Sequence, residues 1–510
     1  MEIETLLGQR VAIVYVDELP ADQKFVFLNG AAYKRSLTGD HKITDREVEA
    51  QEEFKEEAVY AKELQPVPDM TEADLDLTKL NQFIFHLNQP QPIETLKPDL
   101  GSAHPFLQRR CFIKDGAVTI LGALVCGQHP GDRLGFRSHV HGYVDQPGLI
   151  ALDKQDFVDN VLQLMESSLG YLMRNIQVGI TAEQGGMALP QYPEEVLRET
   201  VNNALAHRDY TVNKQVIIAI KPGVHIAIRN PGAFRRTLLI EDSDAPVPVR
   251  RILPEAKPRN PKLADVLRVY RKWEGRGIGM ATLVNLCLDN KIDLPYYRIY
   301  TEEVCLYLCA GKLLDDPIQR LFLSFDRHIE TKLDGARLSD EQKLVLSYII
   351  KSEWRNEQLG YTILLTPDNN HFTALRRLEE SGLITKHDLS TAAYPVYLAD
   401  RVLVKRGYTR ELRALFGPAF DALDDTTKEV LGVIYRHDNY SKVAGVSAKQ
   451  ASFALWDARG ENPGDIKKFD AFYRQIRRVF NKIEGAGFVR KADRSRRYSL
   501  RDDYLNSRLL

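Results

Sequence analysis

The chain reads as an α+β protein of several domains, and three observations support this. Its 510 residues exceed what a single core usually organises. Short strands bounded by turn signals alternate with amphipathic helices through its first and middle parts. Towards its end, residues from about 338 to 400 and from about 424 to 504 each run through helices and finish in a β-hairpin. Hydrophobic residues make up 44% and charged residues 27%, the mixture of a globular chain with real cores.

Each element has its own signal. Val11–Val16 and Lys24–Leu28 are strand-like, and Asn29-Gly30 is a hairpin turn that returns through Ala31–Arg35. Ile43 to Leu64 is charged and helical in pattern, with Thr44 as N-cap and Glu47 three residues on. A strand, turn and strand follow over Arg110–Lys114, Asp115-Gly116 and Ala117–Leu121. The spacing of apolar residues predicts one long amphipathic helix over 155–178. Pro193 suits the first turn of the next helix, which runs through Leu205. Val216–Ile220 and His225–Ile228 are strands, and Asn230-Pro231-Gly232 turns the chain. Ser339 caps the first helix of the first C-terminal repeat, and Gly382 ends its last. In the second repeat a helix over 470–487 precedes a hairpin over 488–500. Both repeats have the pattern of winged-helix domains. The expected domains are 1–64, 65–320, 321–417 and 418–510.

Charge separates the ends of the chain. The formal net charge is -1, but residues 471–510 hold eleven Arg and Lys against four Asp and Glu, a surplus of seven. That local excess predicts a nucleic-acid face. A helix over 470–487 would enter the major groove with Arg474, Arg477 and Arg478, and a wing with Arg490, Lys491, Arg494, Arg496 and Arg497 would touch phosphates. Double-stranded DNA is the expected partner.

The five cysteines are odd in number and sit mostly in apolar runs, which argues against a disulfide framework and for a reducing cytoplasm. Cys305 and Cys309 share a strand face and read as core. No run of eighteen apolar residues is present, and the first ten residues lack the makings of a signal peptide, so no membrane attachment is expected. His139 and His141 point the same way on a strand and read as buried or hydrogen-bonded side chains.

Neither a P-loop nor a Gly-x-Gly-x-x-Gly fingerprint occurs. Glu199 and Asn203 instead stand four apart on one helix, hence on one face. They are followed by Asn230-Pro231-Gly232 and by Gly275, Gly277 and Gly279 before another helix. An Asn there can hold Mg²⁺ against phosphates, and a Glu one turn earlier can orient and deprotonate a water. A glycine-rich helix start offers backbone N–H groups to phosphate oxygens.

The run Tyr192–Tyr210, with Ile228–Gly232, Arg259–Leu263 and Gly275–Ile278, resembles the signature of the Schlafen/AlbA-type, RecG-C-terminal-like bacterial transcriptional regulators. The likeness extends from about residue 8 to about residue 310. It implies that the middle module is a GHKL-like α/β sandwich, a divergent relative of the ATP-binding fold of gyrase B and histidine kinases. Carried over residue by residue, it places Glu199 as general base and Asn203 as Mg²⁺ ligand. It places Gly232 on the adenine side, and Gly275, Gly277 and Gly279 on the phosphate side. Asn230 stands where such proteins generally carry the Asp that reads the adenine amino group. His207, Arg208 and Asp209 match the run after the helix, and His207 is counted with the nucleotide-binding set. Residues 8–50 resemble only the closing part of the AlbA-type domain, whose opening carboxylates have no counterpart here. A partner protein supplying that part is therefore expected, as is a homodimer or higher oligomer.

Two functions follow. In the first, Mg-ATP binding or hydrolysis controls dimerisation and DNA engagement, in bacterial defence if the resemblance extends that far. In the second, the pocket is degenerate and the chain is a non-catalytic DNA-bound transcription factor or scaffold.

Overall fold

A computed structural model of the chain describes residues 62–89, 91–145, 151–176, 192–234, 238–254, 259–270, 279–367, 369–461, 465–491 and 496–501. Between 2 and 42 it describes only the backbone of short strands. There Glu2–Leu6 pairs with Gln9–Ile13, and Ala31–Ser36 pairs on its two sides with Phe27–Leu28 and Gly39–Lys42. The pairing of Phe27–Leu28 with the next strand is the one expected of the hairpin, whose turn at 29–30 lies outside the described residues. The helix expected over 43–64 lies outside the described residues except for the turn Lys62–Leu64.

The architecture is mixed α/β, organised by one nine-stranded sheet. From edge to edge its strands are Leu239–Asp242, Val249–Ile252, Tyr361–Ile363, Tyr296–Ile299, Glu303–Cys309, His225–Pro231, Val216–Lys221, His139–Val144 and Leu152–Val158. Neighbours are antiparallel except at two places, where Val216–Lys221 lies parallel to His139–Val144 and Val249–Ile252 lies parallel to Tyr361–Ile363. Burial alternates along the central strand Val216–Lys221, where Val216, Ile218 and Ile220 are buried.

Two local expectations give way to capping chemistry. The region read as one helix over 155–178 is an edge strand, Leu152–Val158, followed by the helix Val161–Asn175. Asn160 separates them, because its side chain accepts from Gln163 N at 3.0 Å and starts the helix there. The strand read through Leu121 stops at Val118, since the Thr119 hydroxyl accepts from Gly122 N at 3.0 Å and caps a helix over Ile120–Cys126. The turn between the two strands there places both Asp115 (φ 51) and Gly116 (φ 80) in the left-handed region.

The expected boundary at residue 320 does not divide two cores. One buried apolar cluster runs from Val67 to Leu403, and a second from Tyr408 to Leu500. The first C-terminal repeat contributes the strand Tyr361–Ile363 to the large sheet, which no helix-and-hairpin pattern announces. Its helix Asp340–Glu357 starts at the expected Ser339, which forms a reciprocal capping box with Gln342. That helix is anchored by buried charges: Lys351 Nζ lies 2.9 Å from Asp293 and 2.7 Å from Asp315.

The second C-terminal unit has its own core. The helices Asp425–Tyr440, Ala448–Ala458 and Ile466–Gly485 pack beside a three-stranded sheet of Val446–Ser447, Arg497–Leu500 and Val489–Lys491. It docks on the rest through a two-pronged ion pair in which Arg320 Nε and Nη2 reach Asp457 at 2.8 and 2.9 Å.

Helix Ile120–Cys126 lies so close to the chain before it that a Cβ on Gly122 would sit 2.1 Å from the Phe112 carbonyl oxygen. Gly122→Ala is expected to lower stability by about 3 kcal/mol, because backbone must move to admit a methyl group. Urea unfolding of the two proteins measures the difference, and a loss under about 0.5 kcal/mol, the scale of an ordinary surface change, contradicts this packing.

Candidate functional site: an apolar pocket under a buried polar helix

The helix Glu194–His207 begins after Pro193, as expected, and the Tyr192 hydroxyl ties its start to the sheet by donating to Leu308 O at 3.0 Å. Its far end is held by Asn260, whose amide donates to Ala206 O at 2.9 Å and Arg208 O at 2.7 Å. The quoted run from Tyr192 to Tyr210 is therefore a helix with an anchor at each end. Between the anchors the helix is buried on nearly every side, with polar Glu199, Thr200, Asn202 and Asn203 among its buried residues.

One face of this helix lines a pocket together with the strands His225–Pro231, Tyr296–Ile299 and Glu303–Cys309. The cavity there is small, about 80 Å³, and is continuous with open solvent. The walls are mostly apolar: Ile228, Phe234, Leu238, Met280, Tyr297 and Leu306. Phe234 meets Tyr297 edge-on, with ring centroids 5.2 Å apart.

Few polar groups face this space, and several lack partners. Both amide atoms of Asn203 are buried without a hydrogen bond. Asn230 donates from Nδ2 to Ala204 O at 2.9 Å, which leaves its Oδ1 buried and unpartnered. His207 also lines the pocket, and burial followed by the nearby Arg259 charge lowers its pKa to about 4, so its ring is neutral.

Gly232 adopts φ +111 at the turn beyond the strand and lines the pocket. Asp209 packs on it, and a Cβ there would meet Asp209 Cβ at 2.8 Å. Asp209 in turn holds Arg259 at 2.6 Å. Burial pushes the Asp209 carboxyl up, but hydrogen bonds from Thr211 and the charges of Arg259 and Lys62 outweigh it and hold the group below its usual range. Arg208 is fully buried against the Tyr210 ring, donates to the carbonyls of Phe136, Val212 and Lys214, and does not line the pocket.

The pocket thus brings together Asn203, His207, Asn230 and Gly232 of the expected set. Glu199 is placed differently. It does not line the pocket; its Oε1 accepts from Gly279 N at 2.8 Å, at the start of the helix Met280–Asp289. Gly275 and Gly277 lie outside the described residues. Arg259, Phe234 and Tyr297 are lining residues that sequence reasoning did not assign. Arg259 lay inside a quoted stretch, whereas the two aromatics sit on separate segments and carry no local signal.

No family model matches the chain. No curated protein matches it either. Among solved structures, the DIP2311 protein from Corynebacterium diphtheriae is similar at 16% identity and a TM-score of 0.40, over 79% of this chain and 77% of that one. A likeness of that size carries no argument about this site.

Elsewhere, His141 does have a carboxylate beside it, since Nδ1 lies 2.7 Å from Asp156 on the neighbouring strand. Among the described residues no group of three or more His, Cys, Asp or Glu is placed to hold a metal ion. Cys305 and Cys309 are buried, as expected of core residues. No described helix is long and apolar enough to cross a membrane.

On the C-terminal unit, the helix Ile466–Gly485 buries Phe472, Ile476, Phe480 and Ile483 and turns Arg474, Arg477 and Arg478 outward. On the hairpin, Arg490, Lys491 and Arg496 are exposed. Lys491 pairs with Glu484 at 3.1 Å, and Arg497 is half-buried and donates to Gly445 O at 3.2 Å, so these two also have structural work. Arg494 lies outside the described residues.

The neutral His207 gives a pH signature. Its folded pKa of about 4 lies below the ordinary 6.5, so the unfolded chain takes up a proton first as pH falls. Its contribution to stability is complete above about 6.5 and is lost towards about 4. Denaturant unfolding across that range should show His207→Gln with a shallower acid loss than wild type; equal slopes would mean that the ring is not held neutral.

Proposed function

We propose that the pocket binds a purine nucleotide in a GHKL-like module, and that the C-terminal unit is a winged helix that engages double-stranded DNA. Asn203 carries the first half of this reading. A buried amide with neither atom paired costs on the order of 1–3 kcal/mol, a deficit that a bound ligand removes. The apolar lining of Tyr297, Phe234 and Ile228 suits a heteroaromatic ring. Asn230 offers that ring an acceptor, because its own donor is committed to Ala204 O. The Asn replacing the usual Asp therefore presents the same kind of atom to an amino group.

The Asn203 carboxamide oxygen is the group that would hold Mg²⁺, with phosphate and water oxygens completing its shell. Bound there, the ion would neutralise phosphate charge. His207, being neutral, adds a hydrogen-bonding ring without adding charge. The bond from Gly279 N to Glu199 favours the version in which nucleotide acts as an effector over the version in which it is turned over. In this arrangement Glu199 is turned to the helix start and does not line the pocket.

The pocket wall also offers a route to the C-terminal part. Leu238 lines the pocket and bonds to Leu253 N at 2.8 Å. Leu253 and Val249 pack with Leu364 and Val396, the latter beside the strand Tyr397–Ala399. A ligand that orders this wall bears on the first C-terminal hairpin through direct packing.

Isothermal titration with Mg²⁺ and a non-hydrolysable ATP analogue tests the pocket. Wild type is expected to bind, and Asn203→Ala to lose about tenfold or more in affinity. Absence of binding by wild type removes the nucleotide reading. For the other half, replacing Arg477 and Arg478 together by Ala should weaken binding to duplex DNA. It should also flatten the slope of log K against log salt by about 2. An unchanged slope would show that these arginines do not meet phosphates.

A further inference from the structure

The start of the helix Met280–Asp289 is the part of the site that an anion would seek. Gly279 is its N-cap residue and supplies no side chain, so the helix brings no acceptor of its own to its first N–H groups. Met280, the first helical residue, lines the same pocket as the unpartnered Asn203 amide. Glu199 comes to this end from the neighbouring helix: it is buried at 4% exposure, and its Oε1 accepts from Gly279 N at 2.8 Å. A carboxylate at a helix N-terminus satisfies both the orphan donors and the positive end of the dipole. A phosphate would satisfy the same two demands.

We propose that Glu199 is a built-in competitor for the ligand's phosphate. Its carboxylate occupies the helix start, and a phosphate-bearing ligand has to displace it. The idea rests on the nucleotide reading of the pocket. It gives Glu199 a role opposite to that of a residue that recruits water: it holds the pocket in a ligand-free form and sets the affinity threshold. The competition concerns only the anionic half of the ligand. A nucleoside, which has the ring and no phosphate, leaves Glu199 undisturbed.

The test is titration of the full chain, wild type and Glu199→Ala, with adenosine, ADP and inorganic phosphate in EDTA, so that no metal bridges carboxylate and phosphate. The expected result is that ADP binds Glu199→Ala about tenfold more tightly than wild type, the scale of one charge-assisted hydrogen bond. Adenosine should bind both forms alike, within about twofold. Glu199→Gln keeps the shape and an acceptor for Gly279 N while removing the charge. It should fall between the two, and it serves as the probe if the alanine variant does not fold. ADP binding that is unchanged or weaker in both variants, with wild type still binding ADP, overturns the competitor role and leaves the nucleotide reading standing. Inorganic phosphate binding as tightly as ADP overturns the nucleotide reading instead, because the ring would then contribute nothing. If neither adenosine nor ADP binds any form, the nucleotide reading fails and the competitor role fails with it.

Discussion

The helix Glu194–His207 carries more polar groups into the interior than an amphipathic helix normally does, and the surrounding structure is arranged around that burden. Apolar Val196, Leu197, Val201 and Leu205 hold it against the core, while Glu199, Thr200, Asn202 and Asn203 are buried with them. A buried polar group must find a partner or cost free energy. Thr200 returns its hydroxyl to Val196 O, and Glu199 takes the N–H of Gly279. Asn230 and Asn260, from outside the helix, take up carbonyls near its end. Asn202 and Asn203 are left over, and of the two Asn203 faces the pocket.

The C-terminal parts are joined to this centre in two different ways. The first is built in. It shares the large sheet and the main core, and it contributes a buried charge, Lys351, and a buried amide, Asn356, which serves Arg250 and Arg251. The second has its own core and is attached by mixed contacts: the pair of Arg320 with Asp457, hydrogen bonds around Lys442 and Ser441, and Tyr440, which packs on Phe325 of the main core.

What could be read from the sequence was local. The cap at Ser339, the helix start at Pro193, the strand pair around Lys221–Val224 and the outward arginines of 470–487 are local signals, and each has its counterpart in the fold. The same local logic missed Thr119 and Asn160 as caps because apolar residues continue on both sides of them. Nothing local could place Tyr361–Ile363 in a sheet whose other strands lie more than fifty residues earlier, a separation evident from the strand Glu303–Cys309. In the site, the asparagines and Gly232 were legible as motifs. Phe234, Met280 and Tyr297 were not, because a wall assembled from three segments has no spacing. The orientation of Glu199 was also beyond reach, since an i, i+4 relation to Asn203 fixes a face and not which neighbour a long side chain chooses.

The insertion of Tyr361–Ile363 between Val249–Ile252 and Tyr296–Ile299 has a consequence for how the chain is made. Synthesis runs from the N-terminus, so the sheet waits with a slot open until residue 363 has been delivered. In that interval two strand edges, one of them rich in tyrosine, face each other unpaired. Such edges recruit other strands. A fragment stopped near residue 320 would keep that slot permanently, and edge-to-edge association between copies is the fate expected of it. The protein's smallest self-sufficient piece is therefore longer than its pocket.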